Sequence, residues 1–204
     1  MRYLLSIVML AAALTARGQG TSQAILGYTN AISGVFNGTA GWTFQVTNAV
    51  TVTELGCLAS FFFVHNTSAT QVRVGLWASD ESLLASSDIA PTNTLVDLSL
   101  YGSVNPVLLT PGQTYHIGAH YPGGLFGLDV VAPAVGGSVF PSSHIVSLTA
   151  AYSPGGFTWP AMELGTLGAA YLGPNFRYIP EPSSFAILGL GALLLAVRRG
   201  PKPL

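Results

Sequence analysis

Apolar and polar residues take turns along most of this chain. In GWTFQV, Trp42, Phe44 and Val46 fall on one side. Val50 and Val52 carry the same pattern through AVTVTELGCL, and Val72, Val74 and Leu76 carry it through QVRVGLW. A repeat of two is the repeat of a β-strand, whose successive side chains point to opposite faces. No stretch between residues 25 and 179 sustains a helical repeat. The punctuation agrees. SDES, residues 79–82, separates QVRVGLW from LLASSDI and predicts a hairpin, and Pro111-Gly112 opens the strand TPGQTYHIGAHY. TLVDLSLY reads as one more strand and YLGPNFRYI as the last. Gly123-Gly124, Gly136-Gly137 and Gly155-Gly156 mark loops. Many short strands at near-regular spacing predict an all-β, antiparallel β-sandwich of jelly-roll type.

Charge separates this body from the two ends. Residues 25–179 suit one domain with a core of its own. Their basic side chains are Arg73 and Arg177. The acidic ones are Glu54, Asp80, Glu81, Asp88, Asp97, Asp129 and Glu163, so two against seven leaves −5. Such a balance excludes a basic footprint for nucleic acid. Only 7% of the chain is charged, so Ser, Thr, Asn and Gln must cover the surface, as on many extracellular β-domains. Cys57 is the single cysteine, which excludes an intramolecular disulfide; its strand context predicts a buried, inert thiol.

The other positive charges sit at the termini. Arg2 precedes the apolar run YLLSIVMLAAAL, about 12 residues long, which fits a signal-peptide h-region and is too short to span a membrane. Cleavage after Gly18 or after Ala24 satisfies the small-residue rule. Ala24 is favoured, because the strand-like AILGYT starts there, giving a signal over 1–24 and a domain over 25–179. At the other end Pro180-Glu181-Pro182 precedes Phe185–Val197, an unbroken apolar stretch reaching about 20 Å as a helix. Ser183, Ser184 and Arg198 lengthen it to a brief single membrane helix. Arg198, Arg199 and Lys202 then stop transfer and hold the end in the cytoplasm. The prolines predict an extended, unpaired IPEPSS peptide.

The proline motif, short helix and arginine pair resemble the PEP-CTERM sorting signal of bacterial envelope proteins, over residues 180–204. The resemblance implies an exosortase as partner. It assigns recognition to Pro180, Glu181 and Pro182 and the membrane stop to Arg198 and Arg199, with transient membrane insertion before delivery to the surface. The phrases GWTFQVTNAVTVTELGCL, VRVGLWASDESLLASSDI, LLTPGQTYHIGAHY and YLGPNFRYI resemble a β-sandwich domain of unknown function found on bacterial surface and secreted proteins. That second resemblance supports the fold and implies no chemistry.

Residues that could carry chemistry are few. His116 and His120 would share a face of a strand about 13 Å apart, too far for one metal ion. His65 and His144 stand in loop contexts without evident partners. Asp80-Glu81 reads as a solvated hairpin tip, with a structural calcium as the alternative. Glu54, Asp129 and Glu163 are the carboxylates a glycosidase would need to bring together. Tyr152 and Trp159 flank the loop SPGGFTWP and are the candidate sugar-stacking pair. Phe157 and Trp159, two apart, should share one face, with the core side preferred over solvent. No cofactor, metal or catalytic group is assigned. The expected protein is an exported, non-enzymatic component of the cell envelope or exopolysaccharide matrix. A carbohydrate-binding module and a polysaccharide-active enzyme are the alternatives.

Overall fold

The computed structural model describes residues 20–29, 32–35, 37–65, 70–121, 126–131, 138–167 and 170–181. Residues 1–19 of the expected signal segment, the apolar tail stretch, Pro182, Arg198 and Arg199 lie outside them. Sixteen strands appear among the described residues, in chain order. β1 is Ser22–Gln23, β2 Ile25–Thr29, β3 Ile32–Val35, β4 Gly38–Val46 and β5 Val50–Leu58. After a π-helical turn at Phe61–His65 come β6 Val72–Ala78, β7 Leu83–Ile89, β8 Thr94–Val96, β9 Ser99–Leu109 and β10 Thr114–Tyr121. Then follow β11 Phe126–Val131, β12 Ser138–Pro141, β13 Ile145–Pro154, β14 Met162–Leu167, β15 Ala170–Leu172 and β16 Pro174–Pro180. Among the described residues no helix is long and apolar enough to cross a membrane.

A five-stranded sheet, β1-β16-β5-β9-β8, and a six-stranded sheet, β14-β13-β4-β10-β6-β7, carry the fold. Neighbouring strands within each of them run antiparallel. The alternation decides what lies between them. Trp42, Phe44, Val72, Val74, Leu76, Tyr115 and Ile117 from the larger sheet meet Val50, Val52, Leu55, Cys57, Phe176 and Tyr178 from the smaller in one buried cluster. This all-β, antiparallel layout is consistent with a β-sandwich. Trp42 is fully buried, and its Nε1–H donates to the Pro174 carbonyl at 3.1 Å, tying one sheet to the other. Phe44 and Phe176 approach to 5.1 Å between ring centres in the same layer. Two smaller sheets, β15-β11-β3 and β12-β2, flank the sandwich.

Three local readings change. TLVDLSLY is two strands, because Asp97 adopts a positive φ of 51° and turns β8 back onto β9. Aspartate tolerates this left-handed conformation better than most residues. YLGPNFRYI also divides. β15 joins the small sheet with β11, while β16 enters the sandwich beside β5. The sandwich, moreover, starts before the expected boundary at Ile25. Ser22 and Gln23 pair with Tyr178 and Arg177, and Ala24 is fully buried.

Candidate functional site

The larger sheet has a second side. On β10, Tyr115, Ile117 and Ala119 face the core, so His116, Gly118 and His120 face outward. Register places Gly41 of β4 and Gly75 of β6 on either side of Gly118. Three adjacent strands therefore lack side chains at one level, and a shallow trough results. A Cβ on Gly75 would stand 2.3 Å from the Trp77 ring and 2.7 Å from Phe157; one on Gly118 would stand 2.7 Å from Thr39. The SPGGFTWP segment fills this trough. Phe157 packs on Trp77 at 5.2 Å, and Trp159 on His116 at 4.9 Å.

Polar side chains of the sheet fasten the segment down. Thr39 Oγ1 donates to the Gly156 carbonyl and accepts from the Thr158 N–H, each at 3.1 Å. Ser153 Oγ donates to the Trp159 carbonyl at 2.8 Å and accepts from the Ala161 N–H at 2.9 Å. Arg73 pairs with Asp88 at 2.7 Å and lies over the Phe157 ring at 5.5 Å. Phe157 and Trp159 do share a face. It is the outer face of the sheet, neither the central core nor open solvent. Tyr152 is paired with core-facing Ala40 and packs against the central cluster. The structure therefore sets Tyr152 and Trp159 on opposite sides of the sheet. Thr39 and Ser153 escaped the sequence reading. No local signal marked them, since Gly41, Gly75 and Gly118 come together only through strand register.

Burial governs the titratable groups here. His116 is 5% exposed, and desolvation holds its imidazole below the ordinary histidine value, against the opposing pull of Glu163 and a hydrogen bond at the Pro160 backbone. His120 is lowered too, chiefly by desolvation. Both Nδ1 atoms are buried without a partner, as is Trp159 Nε1. The two histidines stand four residues apart on one strand, and among the described residues no group of three metal-ligating side chains forms.

The remaining candidates disperse. Glu54 is ion-paired with Arg177 in the smaller sheet, Asp129 belongs to β11, and Glu163 belongs to β14. These are three different sheets. Cys57 is buried and unpaired, and desolvation pushes its thiol well above the usual range. Asp80 accepts from the N–H and hydroxyl of Ser82, which lowers its carboxyl, and Glu81 takes a φ of 70° at the hairpin tip. His144 gains a partner the sequence did not reveal, since its Nδ1 lies 3.2 Å from the Tyr178 hydroxyl.

The proline motif departs most from expectation. IPEPSS was expected to be unpaired, yet Ile179 and Pro180 lie in β16, opposite Thr51 and Val50. The Glu181 N–H donates to the Ala49 carbonyl at 3.0 Å, and its carboxylate accepts from the Thr51 hydroxyl. The physical reason is the run of backbone acceptors along the start of β5, which an extended peptide can join whatever its prolines do at alternate positions. The first residue of the motif, Pro180, thus ends the final strand, and Glu181 is held directly beyond it.

No curated protein matches the chain. Residues 179–200 match the PEP-CTERM protein-sorting motif. The chain therefore carries a PEP-CTERM sorting signal directly after a β-rich body, which implies an exported protein handled by an exosortase at the cell envelope and surface.

Proposed function

We propose that the body is a non-enzymatic structural or adhesive component that the sorting system delivers to the exopolysaccharide layer. The observation carrying this reading is the PEP-CTERM motif at residues 179–200, whose first residues, Ile179 and Pro180, lie in the last strand of the body. A jelly-roll path for the body is supported by its strand orders. β1-β16-β5-β9 and β4-β10-β6-β7 are two four-stranded sets whose chain alternates as two Greek keys require, with β8, β13 and β14 added at the edges. A weakly charged, hydroxyl- and amide-rich surface fits a hydrated polysaccharide setting. The commitment of Glu54 to Arg177 in one sheet, with Glu163 in another, favours this reading over a glycosidase. The sugar-stacking alternative draws no support from Phe157 and Trp159, which are spent on the trough.

The fate of the N-terminus follows from packing. Ser22 and Gln23 complete the sheet, Gln23 accepts from the Tyr101 hydroxyl at 2.8 Å, and Arg177 donates to Thr21. Signal cleavage after Gly18, rather than after Ala24, keeps this strand. An exported body beginning at Gln19 supports that choice, and one beginning at Ile25 contradicts it. The function is tested by fractionating cultures with and without exopolysaccharide synthesis. The processed body should partition with the polysaccharide and move into the medium when synthesis is removed. An unchanged distribution would contradict the matrix role.

A further inference from the structure

We propose that the folded body latches its own sorting motif, so that the exosortase gains the motif only when the end of β16 peels from β5. This rests on the reading of residues 179–200 as an exosortase-processed signal. Within Pro180-Glu181-Pro182 the prolines have no N–H, so the backbone of Glu181 is the only donor in the tripeptide. That donor is occupied by the Ala49 carbonyl at 3.0 Å. The glutamate is also the only ionisable side chain in the motif, and its carboxylate is occupied by Thr51. Pro180 is held in register opposite Val50. An enzyme that reads the motif by its backbone donor and its carboxylate meets both already engaged.

The latch is built to open. Thr51 is half-buried and Glu181 exposed, so water can replace each bond as it breaks. Among the described residues β1 pairs with β16 only at Tyr178 and Arg177, so Ile179 and Pro180 pair with β5 on one side alone, and Glu181 is held by Ala49 and Thr51. Peeling the last residues leaves Tyr178 and Phe176, both fully buried, in the core. Opening is therefore local, and the body stays folded while the motif is handed over. Thr51 is a positioning residue in this account, since it acts on the motif and not on the enzyme.

The test uses the full chain in its producing cells, with conversion of precursor to processed form followed by pulse-chase. Thr51→Val keeps a β-branched strand residue and removes the donor; conversion should run about 2–5-fold faster, as loss of one exposed hydrogen bond allows. Inserting Gly-Ser-Gly-Ser between Ile179 and Pro180 leaves every body residue in place and frees the motif; it should be processed at least as fast as Thr51→Val. Wild-type or slower conversion of the spacer variant would overturn the latch, whatever the stability of Thr51→Val. Replacement of Pro180, Glu181 and Pro182 by alanine should leave the precursor unprocessed. Processing of that triple variant at the wild-type rate would overturn the sorting reading itself, which separates the two failures.

Discussion

Strand β10 shows two surfaces of opposite character. Inward, Tyr115, Ile117 and Ala119 meet a second sheet across a close-packed aromatic and aliphatic layer. Outward, His116 packs on Trp159 of the SPGGFTWP segment, which fills a trough left by three glycines in register, and His120 lies near Arg73. Burial alone hides this difference, because Trp42 is fully buried and Trp77 is 4% exposed. What differs is the cover. Between two sheets neither wall can move far, whereas a short loop can settle onto whatever is removed beneath it. The inner face should therefore hold most of the stability, and the outer face should tune it.

Paired truncations give the largest expected effect. Trp42→Ala should cost about 5 kcal/mol, near the top of the range for buried aromatics, since a cavity opens between rigid walls and the Pro174 carbonyl loses its donor. Trp77→Ala should cost about 3 kcal/mol, since the loop can collapse onto the gap. Urea unfolding of both variants measures the difference. Equal costs would abolish the distinction between the faces, and a cost below about 1 kcal/mol for Trp77 would mean that its ring is not held by the loop at all.

A methyl group sharpens the comparison next. Gly75→Ala sets a Cβ 2.3 Å from the Trp77 ring. Both Trp77 and Phe157 must shift, at a cost of about 1–2 kcal/mol, and proteolysis within residues 154–160 should accelerate. An unchanged melting temperature and cleavage rate would show that the trough has room to spare.

The smallest effect is electrostatic. His116 and His120 lie below the ordinary histidine value of about 6.5, so the unfolded chain binds protons more readily than the native one. Their contribution is complete above that value and is lost as pH falls from it towards the lowered native values. Glu163 faces His116, and Arg73 faces His120. Thermal melting should show a decline in stability between pH 7.5 and 5.5 that His116→Gln reduces. The same decline in that variant would place the pH response elsewhere.

The inner face was legible because alternation speaks directly about burial. Trp42, Phe44, Val50, Val52, Val72, Val74 and Leu76 all lie in the core as their spacing requires. The hairpin across SDES was legible from its turn residues. Asp97 was not, since one aspartate inside an alternating run carries no local mark of a positive φ. The trough was not legible either. Gly41, Gly75 and Gly118 are far apart in sequence, and only register makes them neighbours. In the sorting motif, the prolines announced an extended segment correctly but said nothing about its partner, which is set by how far β16 runs along β5.

The sorting motif is the central claim, and the intact mass of the body recovered from the surface of producing cells tests it most directly. The account predicts a chain that ends before Phe185, without the apolar stretch and the arginines. A surface-recovered chain that still extends to Leu204 would contradict it.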